Sequence, residues 1–194
     1  VRVALQHATN KQNISDGIFY GLEKPADTLF ASTIPYCDIK LEPYAYNLEL
    51  AGQILDDAGW KMGSGNVREK DGQQLNIDLL YNSDSVTEKS IAEYLQSEYQ
   101  SIGVSLNIHG EEEQSYRDNM KAGNFDMVFN ICWGTPYDPQ SSLAAMRAPV
   151  YGDYAAQLGL DDKAEIDDAI TEILVTTDED RRQELYTYGS DSSP

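Results

Sequence analysis

The fold is decided by residues 75–131, which read LNIDLLYNSDSVTEKSIAEYLQSEYQSIGVSLNIHGEEEQSYRDNMKAGNFDMVFNI. Apolar residues at every second position predict strands at 75–81 and 104–108. A nearly all-apolar run predicts a third strand at 125–131. Because both faces of this third strand are apolar, it suits a central position in a sheet that is covered by helices.

Two helices are predicted between these strands. In residues 86–102, Ile91, Leu95 and Tyr99 are spaced to form one buried face, and a second helix is predicted at 111–121. A glycine follows the end of each helix, as is common at helix C-termini. Strands that alternate with helices through short connections are typical of α/β folds. We therefore predict a doubly wound α/β fold, with helices flanking a mixed sheet.

The residues upstream are predicted to be helical at both ends and irregular between. A helix is expected over residues 1–20 with a break at Asn10, and another over 48–58, capped by Asn47. Residues 22–46 contain three prolines. Proline removes a backbone donor and pushes its predecessor toward extended conformations, so this stretch is expected to be a loop.

A hairpin and two further helices complete the predicted elements. Asp71-Gly72 is a typical hairpin turn and is expected to lead directly into the strand at 75–81. Helices are predicted near 163–176 and 178–188. The final residues are rich in Gly, Ser, Asp and Pro, and 187–194 are predicted to be a disordered tail.

Composition excludes several classes of function. Fourteen basic residues against 33 acidic residues give a net charge of −19, which would repel nucleic acid and anionic lipid surfaces. The two cysteines, Cys37 and Cys132, are too few for a disulfide scaffold; they could form one bridge or remain two buried thiols. The sequence contains no apolar run long enough to span a membrane. Because the chain opens on Val1-Arg2 within a predicted helix, we expect it to be an excised fragment.

The chain resembles, almost from end to end, the second (C-terminal) lobe of the peptide/nickel family of solute-binding proteins, which serve ABC importers. Its opening VRVALQHATNK is similar to the helix that begins that lobe. The other stretches that carry the resemblance, in family order, are 46–60 (ending Ala58-Gly59-Trp60), 68–73 (REKDGQ), 91–108 and 125–127. We accordingly identify residues 1–186 as one ligand-binding lobe with a periplasmic-binding-protein-like fold.

Within this family the chain resembles the nickel-binding branch most. The stretches that are similar to it are 26–31 (ADTLFA), 110–113 (GEEE), 133–139 (WGTPYDP) and 146–149 (MRAP). The resemblance implies a protein of two lobes that close over nickel held as a small organic chelate, whose carboxylates pair with arginines of the other lobe. It also implies an ABC permease as partner, a periplasmic or lipid-anchored location, no resident cofactor and no enzymatic activity. A short peptide is the alternative ligand, and a stand-alone catalytic α/β domain is a third hypothesis.

Three aromatic residues are the predicted ligand contacts. Trp133 and Tyr137 follow the third strand, and open α/β sheets bind ligands beyond the carboxyl ends of their strands. Tyr151 stands where the resemblance implies a histidine in some nickel binders. The alternative for Trp133 is a structural role, in which it packs the loop onto the core.

The other polar candidates are interpreted as structural. Glutamates at 111–113 are favoured by a helix dipole without any ligand. His7 and His109 lie on separate segments and do not form a nickel site by themselves. Cys132 is expected to be an inert buried thiol, and no metal ligand set is assigned. The motifs of serine hydrolases, P-loops, zinc peptidases and dinucleotide-binding folds are absent from the sequence.

Overall fold

The computed structural model describes residues 1–131, 139–149 and 151–191. The helices of these residues are α1 (Arg2–Ala8), α2 (Lys11–Gly17), α3 (Leu48–Asp57), α4 (Val86–Ser101), α5 (Glu113–Ala122), α6 (Gln140–Arg147), α7 (Gly152–Gln157), α8 (Lys163–Ile173) and α9 (Glu179–Asp191). The strands are β1 (Lys61–Met62), β2 (Arg68–Lys70), β3 (Gln73–Gln74), β4 (Asn76–Asn82), β5 (Ser105–Glu111) and β6 (Met127–Val128). None of the described helices is both long and apolar enough to cross a membrane.

The chain divides into two compact units. Unit 1 comprises Val1–Pro25, Pro43–Asp118 and Phe125–Phe129, and unit 2 comprises Ala26–Glu42, Asn119–Asn124 and Asn130–Pro194. Each unit buries its own cluster of apolar side chains. The chain was predicted to be a single ligand-binding lobe, and in the structure its described residues form two separate cores.

Unit 1 is built on a parallel sheet in the order β5-β4-β6. The chain runs from β4 to β5 on one side and then returns to place β6 on the other. Because such crossovers are right-handed, α4 and α5 lie on opposite faces of the sheet, which confirms the doubly wound fold. The described strands of this sheet are all parallel, and the described antiparallel strands form a separate sheet.

The central strand is β4, not the third strand that the sequence suggested. Leu79 and Leu80 are adjacent in β4 and are 1% and 4% exposed, so both faces of this strand are covered. By contrast, β6 is only two residues long and both residues are half-buried. The apolar run at 125–131 therefore misled the prediction, since it continues past the strand to Ile131, which is exposed.

The small sheet pairs β1, β2 and β3 in antiparallel order. Its hairpin turn is Asp71-Gly72, with φ of 54° and 78°, as a type I′ turn requires. The second arm of this hairpin is β3 and not β4, which corrects the prediction. From Asn76 onward the chain pairs with β5 instead, in the parallel sheet.

Side-chain caps confirm the predicted starts of α3 and α4, and a third cap lies at Asn10, where a break in the first helix was predicted. The side chains of Asn10, Asn47 and Ser85 accept hydrogen bonds from backbone N–H groups in the first turns of α2, α3 and α4, at 3.0, 2.9 and 3.2 Å. The predicted helix at 111–121 begins later, at Glu113, because Glu111 is still paired in β5.

The regular elements of unit 2 in its described residues are all helices, and Ala26–Glu42 is irregular. Its core joins α6, α8 and α9 with two residues of the proline-containing segment, Phe30 and Cys37, which are 6% and 3% exposed. The short helices α6 and α7 were not predicted. Residues 187–191 of the predicted disordered tail lie in α9, and 192–194 lie outside the described residues, so the disorder of this tail stays a prediction. Cys132 also lies outside them, so the pairing of Cys37 with Cys132 remains untested.

Candidate functional site

The topology of unit 1 defines a candidate ligand face. The direction of the crossovers reverses between β4 and β6, whose registered pairing is Leu79 with Met127 and Leu80 with Val128. Open α/β sheets bind ligands beyond the carboxyl ends of the strands at such a switch point. In this chain β4 ends at Asn82, and the segment that follows β6 leads into the predicted loop at 133–139.

A polar network closes the carboxyl end of β4. The Asn82 backbone N–H donates to Glu88 Oε2 at 2.8 Å, and Asn82 Nδ2 donates to Glu113 Oε2 at 2.5 Å. Asn82 Oδ1 accepts from the backbone N–H of Asp84 at 3.0 Å. These contacts bind the end of the strand to the first turns of α4 and α5. Glu113 also forms an ion pair with Arg117.

Two of the three glutamates at 111–113, Glu111 and Glu113, are thus occupied by local contacts. Glu111 Oε2 accepts from Ser115 Oγ at 2.7 Å, and the Glu113 carboxylate is held by Asn82 and Arg117. These contacts support the structural interpretation of the acidic residues, since they fix the junction between β5 and α5.

Tyr116 connects α5 to the end of β6. Its side chain is buried, and its hydroxyl donates to the Phe129 carbonyl oxygen. Burial, followed by the charges of Glu88 and Glu113, raises the pKa of Tyr116 to about 12. The phenol therefore stays protonated, and remains a donor, at any physiological pH. This contact was not predicted, because nothing in the sequence indicates that Tyr116, the one tyrosine of α5, reaches the end of β6.

Of the predicted contacts, only Tyr151 lies within the described residues; Trp133 and Tyr137 lie outside them. Tyr151 is the N-cap residue of α7 and its side chain is 52% exposed. Its backbone N–H donates to the Ala148 carbonyl oxygen at 3.1 Å. Tyr151 is thus available to a ligand, and its role as a contact remains a prediction.

Two residues near Tyr151 were missed by sequence reasoning. Asn130 Nδ2 donates to both carboxylate oxygens of Asp153, at 3.1 and 3.0 Å, and Asp153 lies in the first turn of α7. In the sequence, Asn130 precedes Trp133 by three residues and Asp153 follows Tyr151 by two. An acidic residue in a first turn was a weak signal for α7. No local pattern indicates the pairing, which joins residues 23 apart.

The histidines have partners near them. His7 Nδ1 lies 2.8 Å from the Ala45 carbonyl oxygen, and its ring meets Tyr44 edge-on with centroids 5.3 Å apart. His109 Nε2 lies 3.1 Å from Asp78 Oδ1. Hydrogen bonds from Asn107 and then from His109 hold the pKa of Asp78 below its usual value. In the part of the chain that the structure describes, no group of three or more His, Cys, Asp or Glu side chains could hold a metal.

An open groove of about 520 Å³ lies elsewhere in unit 1. It is lined by residues of α3 and by buried Arg68, whose backbone N–H donates to the Gly103 carbonyl oxygen just before β5. Arg68 Nε donates to the Ile102 carbonyl oxygen, and Nη1 to the Trp60 carbonyl oxygen, both at 2.7 Å. Nη1 also donates to Asp56 Oδ1 at 3.0 Å. The groove thus lies near the amino end of β5, away from the switch point, and its arginine satisfies the ends of α3 and α4.

Comparisons with known proteins place these observations in a family. Residues 1–153 match the model of the bacterial extracellular solute-binding proteins, family 5 Middle. The nickel-binding periplasmic protein of Escherichia coli K12 is 43% identical over 187 residues, which are 96% of this chain and 36% of that protein. The dipeptide-binding protein of the same organism is 25% identical over 186 residues, 96% of this chain and 34% of that protein.

Solved structures agree in fold. NikA from Brucella suis, in complex with Fe(III)-EDTA, superposes with a TM-score of 0.93 at 46% identity, covering 98% of this chain and 38% of that chain. The oligopeptide-binding protein AppA from Bacillus subtilis, in complex with a nonapeptide, superposes with a TM-score of 0.83. The match covers 97% of this chain and 38% of that chain. Because the two sequences are only 20% identical, this likeness supports the fold alone. The chain spans little more than a third of the length of these relatives.

Proposed function

We propose the function of this chain from one premise, which is that it belongs to the bacterial extracellular solute-binding proteins of family 5. In this proposal the chain forms one lobe of the substrate-binding component of an ABC importer. The complete protein captures nickel, held as a small organic chelate, and delivers it to a membrane permease. Its work is binding and not catalysis, and it takes place in the periplasm or on a lipid-anchored protein outside the cell.

One observation carries the choice of nickel over other solutes. The relative that is 43% identical is a nickel-binding protein, whereas the dipeptide-binding relative is 25% identical over nearly the same part of the chain. The structure that superposes with a TM-score of 0.93 also holds a metal chelate, Fe(III)-EDTA. Both facts favour a chelated metal as the cargo.

The described residues suit a chelate better than a bare ion. They contain no cluster that could hold a metal directly, and both histidines contact other groups. A chelator would supply the metal's ligands itself, so that the protein needs only to hold the outside of the complex. Aromatic side chains such as Tyr151, Trp133 and Tyr137 can do so by packing and by hydrogen bonds from the phenols.

Mechanistically, a ligand that bridges two lobes favours the closed form by as much as it binds that form more tightly. In the sheet of unit 1, strand β4 is anchored through Asn82 to α4 and α5. Closure would present the ligand-loaded surface of both lobes to the permease.

A short peptide remains the second candidate. Tyr151 occupies the position where the resemblance implies a histidine in some nickel binders, and a phenol serves equally well against a peptide backbone. The dipeptide-binding relative covers the same 96% of the chain.

Calorimetry on the complete two-lobe protein separates the candidates. The titrants are Ni²⁺ alone, Ni²⁺ with excess L-histidine, Fe(III)-EDTA and alanyl-alanine. We expect one-to-one, saturable binding of at least one chelate and no saturation by the dipeptide. Saturable binding of alanyl-alanine with none of either chelate would replace nickel by the peptide alternative.

A further inference from the structure

The contact between Asn130 and Asp153 joins two parts of unit 2 that carry predicted ligand contacts. A single amide nitrogen, Asn130 Nδ2, lies 3.1 and 3.0 Å from the two oxygens of the Asp153 carboxylate. Hydrogen bonds to a charged acceptor are stronger than neutral ones. The contact therefore ties the first turn of α7, and with it Tyr151, to the segment that follows β6.

The first turn of α7 has a second anchor at Gly152, which is buried. A Cβ at this position would lie 2.5 Å from Met120 Cγ and 2.8 Å from Met120 Sδ, which is too close for any side chain unless the methionine moves. The absence of a side chain lets the backbone next to Tyr151 rest directly on Met120. Tyr151 is thus followed at once by two fixed residues, while its own side chain stays exposed.

A helix as short as α7 depends on such contacts. It has six residues, and isolated helices of this length are not stable in water. Its N-cap residue, Tyr151, makes no side-chain cap hydrogen bond. Gly152 and the Asn130–Asp153 contact therefore fix the first turn of α7, from which the Tyr151 side chain projects, while the rest of the helix packs against α6.

We propose that Asn130 and Asp153 are positioning residues, which hold Tyr151 in the orientation that contacts the ligand. This inference rests on the proposed function for the ligand contact itself. A side chain on a fixed backbone loses less freedom when a ligand binds, so its contact contributes more to affinity. The pair acts through Tyr151 and touches no ligand.

The chain offers an exchange of partners as a test. Asn130→Asp places two carboxylates against each other and breaks the contact by repulsion. Asn130→Asp combined with Asp153→Asn restores a carboxylate and an amide with their positions exchanged. Asp153→Asn alone keeps an acceptor oxygen and removes the charge, and it serves as the milder variant if the repulsive one folds poorly.

A matched control exists in α5. Gln114 Nε2 lies 3.0 and 3.1 Å from the two oxygens of Asp118, which is the same kind of amide–carboxylate contact on an exposed surface. Gln114→Glu breaks it in the same way. If charge repulsion on the surface were the whole effect, this variant would behave like Asn130→Asp.

The first readout needs no ligand. The complete protein is labelled with 3-fluorotyrosine, and the ¹⁹F signal of Tyr151 is assigned by its loss in Tyr151→Phe. We expect this signal to shift or broaden in Asn130→Asp, to return in the exchanged pair, and to stay unchanged in Gln114→Glu. A Tyr151 signal that is the same in the parent and in both single variants of the pair would overturn the proposal.

The second readout is affinity for Fe(III)-EDTA and for Ni²⁺ with L-histidine, measured by calorimetry. We expect Asn130→Asp to bind about fivefold more weakly, the scale of one hydrogen bond, and the exchanged pair to recover to within about twofold of the parent. An unchanged dissociation constant in Asn130→Asp, or an exchanged pair as weak as the single variant, contradicts the inference. A parent that binds neither probe contradicts the proposed function instead, and the ¹⁹F spectra still decide the positioning.

Discussion

The two units of this chain are organised in different ways. Unit 1 assembles its core around a parallel sheet whose central strand is covered on both faces, and three of its helices, α2, α3 and α4, begin at side-chain caps. Unit 2 forms a similarly buried core from helices and from the proline-containing segment, which contributes Phe30 and Cys37. Unit 1 provides a scaffold, whereas unit 2 carries Tyr151, the one described side chain among the predicted contacts.

The difference shows where local sequence patterns carry structural information. In unit 1 the alternation of apolar residues, the caps and the turn glycines all agree with the final elements. In unit 2 the buried residues of the irregular segment follow no period, because their burial is set by contacts that are distant in sequence. One such distant contact involves half-buried Tyr36, whose ring stacks on that of Tyr186 with centroids 5.0 Å apart.

The largest expected effects come from one truncation in each core. Leu79 in β4 and Ile170 in α8 are each 1% exposed. We expect Leu79→Ala and Ile170→Ala each to lower the free energy of unfolding by about 3 kcal/mol, as measured in urea. The control Val86→Ala, at a residue that is 78% exposed, should change it by less than about 0.5 kcal/mol. A cost below about 1 kcal/mol for Ile170→Ala alone would show that the core of unit 2 is packed more loosely than the core of unit 1.

The sequence predicted the fold class and most elements of unit 1, for reasons that particular residues make clear. Asn47 and Ser85 cap their helices, and Asp71-Gly72 adopts the positive φ values of its turn. These signals are local. The strand order is not local, so the apolar run at 125–131 was placed at the centre of the sheet, a position that β4 occupies.

The candidate site was less predictable. Exposed Tyr151 was predicted as a ligand contact by resemblance, and this stays a prediction, whereas neither the Asn130–Asp153 contact nor the hydroxyl contact of Tyr116 could be predicted. A pairing between Asn130 and Asp153 depends on how the chain folds back over the 23 residues between them. No periodicity or short motif in the sequence indicates such a contact.

The second prediction concerns the buried arginine of unit 1. Arg68→Met leaves the carbonyl groups of Ile102 and Trp60 without their donor, and we expect the free energy of unfolding to fall by about 2–3 kcal/mol. Lys70→Met removes one exposed hydrogen bond, to the Ala58 carbonyl oxygen, and should cost about 0.5 kcal/mol. If both variants cost the same in a urea titration, Arg68 does not fasten the ends of α3 and α4.

Arg68→Met should also change how the free energy of unfolding depends on pH in acid. The hydrogen bond from Arg68 holds the pKa of Asp56 below its usual value. The stability that this carboxylate contributes is therefore present above the ordinary pKa of aspartate and is lost as the pH falls through the lowered one. In Arg68→Met this part of the acid dependence should be missing.

The third prediction separates binding from folding, and so sharpens the contrast between scaffold and contact residues. In the complete protein, Trp133→Ala or Tyr137→Ala should weaken ligand binding by about 1–3 kcal/mol, with little change in stability. Tyr188→Ala, at another exposed tyrosine of unit 2, should leave the dissociation constant unchanged. Loss of stability by Trp133→Ala with unaltered affinity would favour the structural alternative for that residue.

The smallest expected effect is at Tyr116. Tyr116→Phe removes the hydroxyl that donates to the Phe129 carbonyl oxygen, and we expect it to cost about 1 kcal/mol of unfolding free energy at neutral pH. Tyr188→Phe is the control, and no change is expected there. Equal stability of Tyr116→Phe and the parent in urea titrations would show that this hydroxyl does not hold the end of β6.

Alkaline titration tests the same contact. The pKa of Tyr116 is raised to about 12, above the ordinary value of tyrosine. Its contribution to stability is therefore complete below the ordinary pKa and is lost as the pH rises toward 12. Tyr46, whose pKa is raised to about 12 chiefly by its hydrogen bond to Glu98, contributes a similar loss of stability in both the parent and Tyr116→Phe. The parent should thus lose more stability than Tyr116→Phe above the ordinary pKa of tyrosine, and the difference between them isolates Tyr116.

We propose that this chain is part of a protein that captures a metal chelate. The most direct measurement is native mass spectrometry of the complete protein, isolated from its own cells without unfolding. We predict a bound mass that equals one nickel ion together with a small organic chelator, released when the protein is denatured. A bound mass that equals a short peptide, with no metal present, would contradict the proposal that the ligand is a metal chelate.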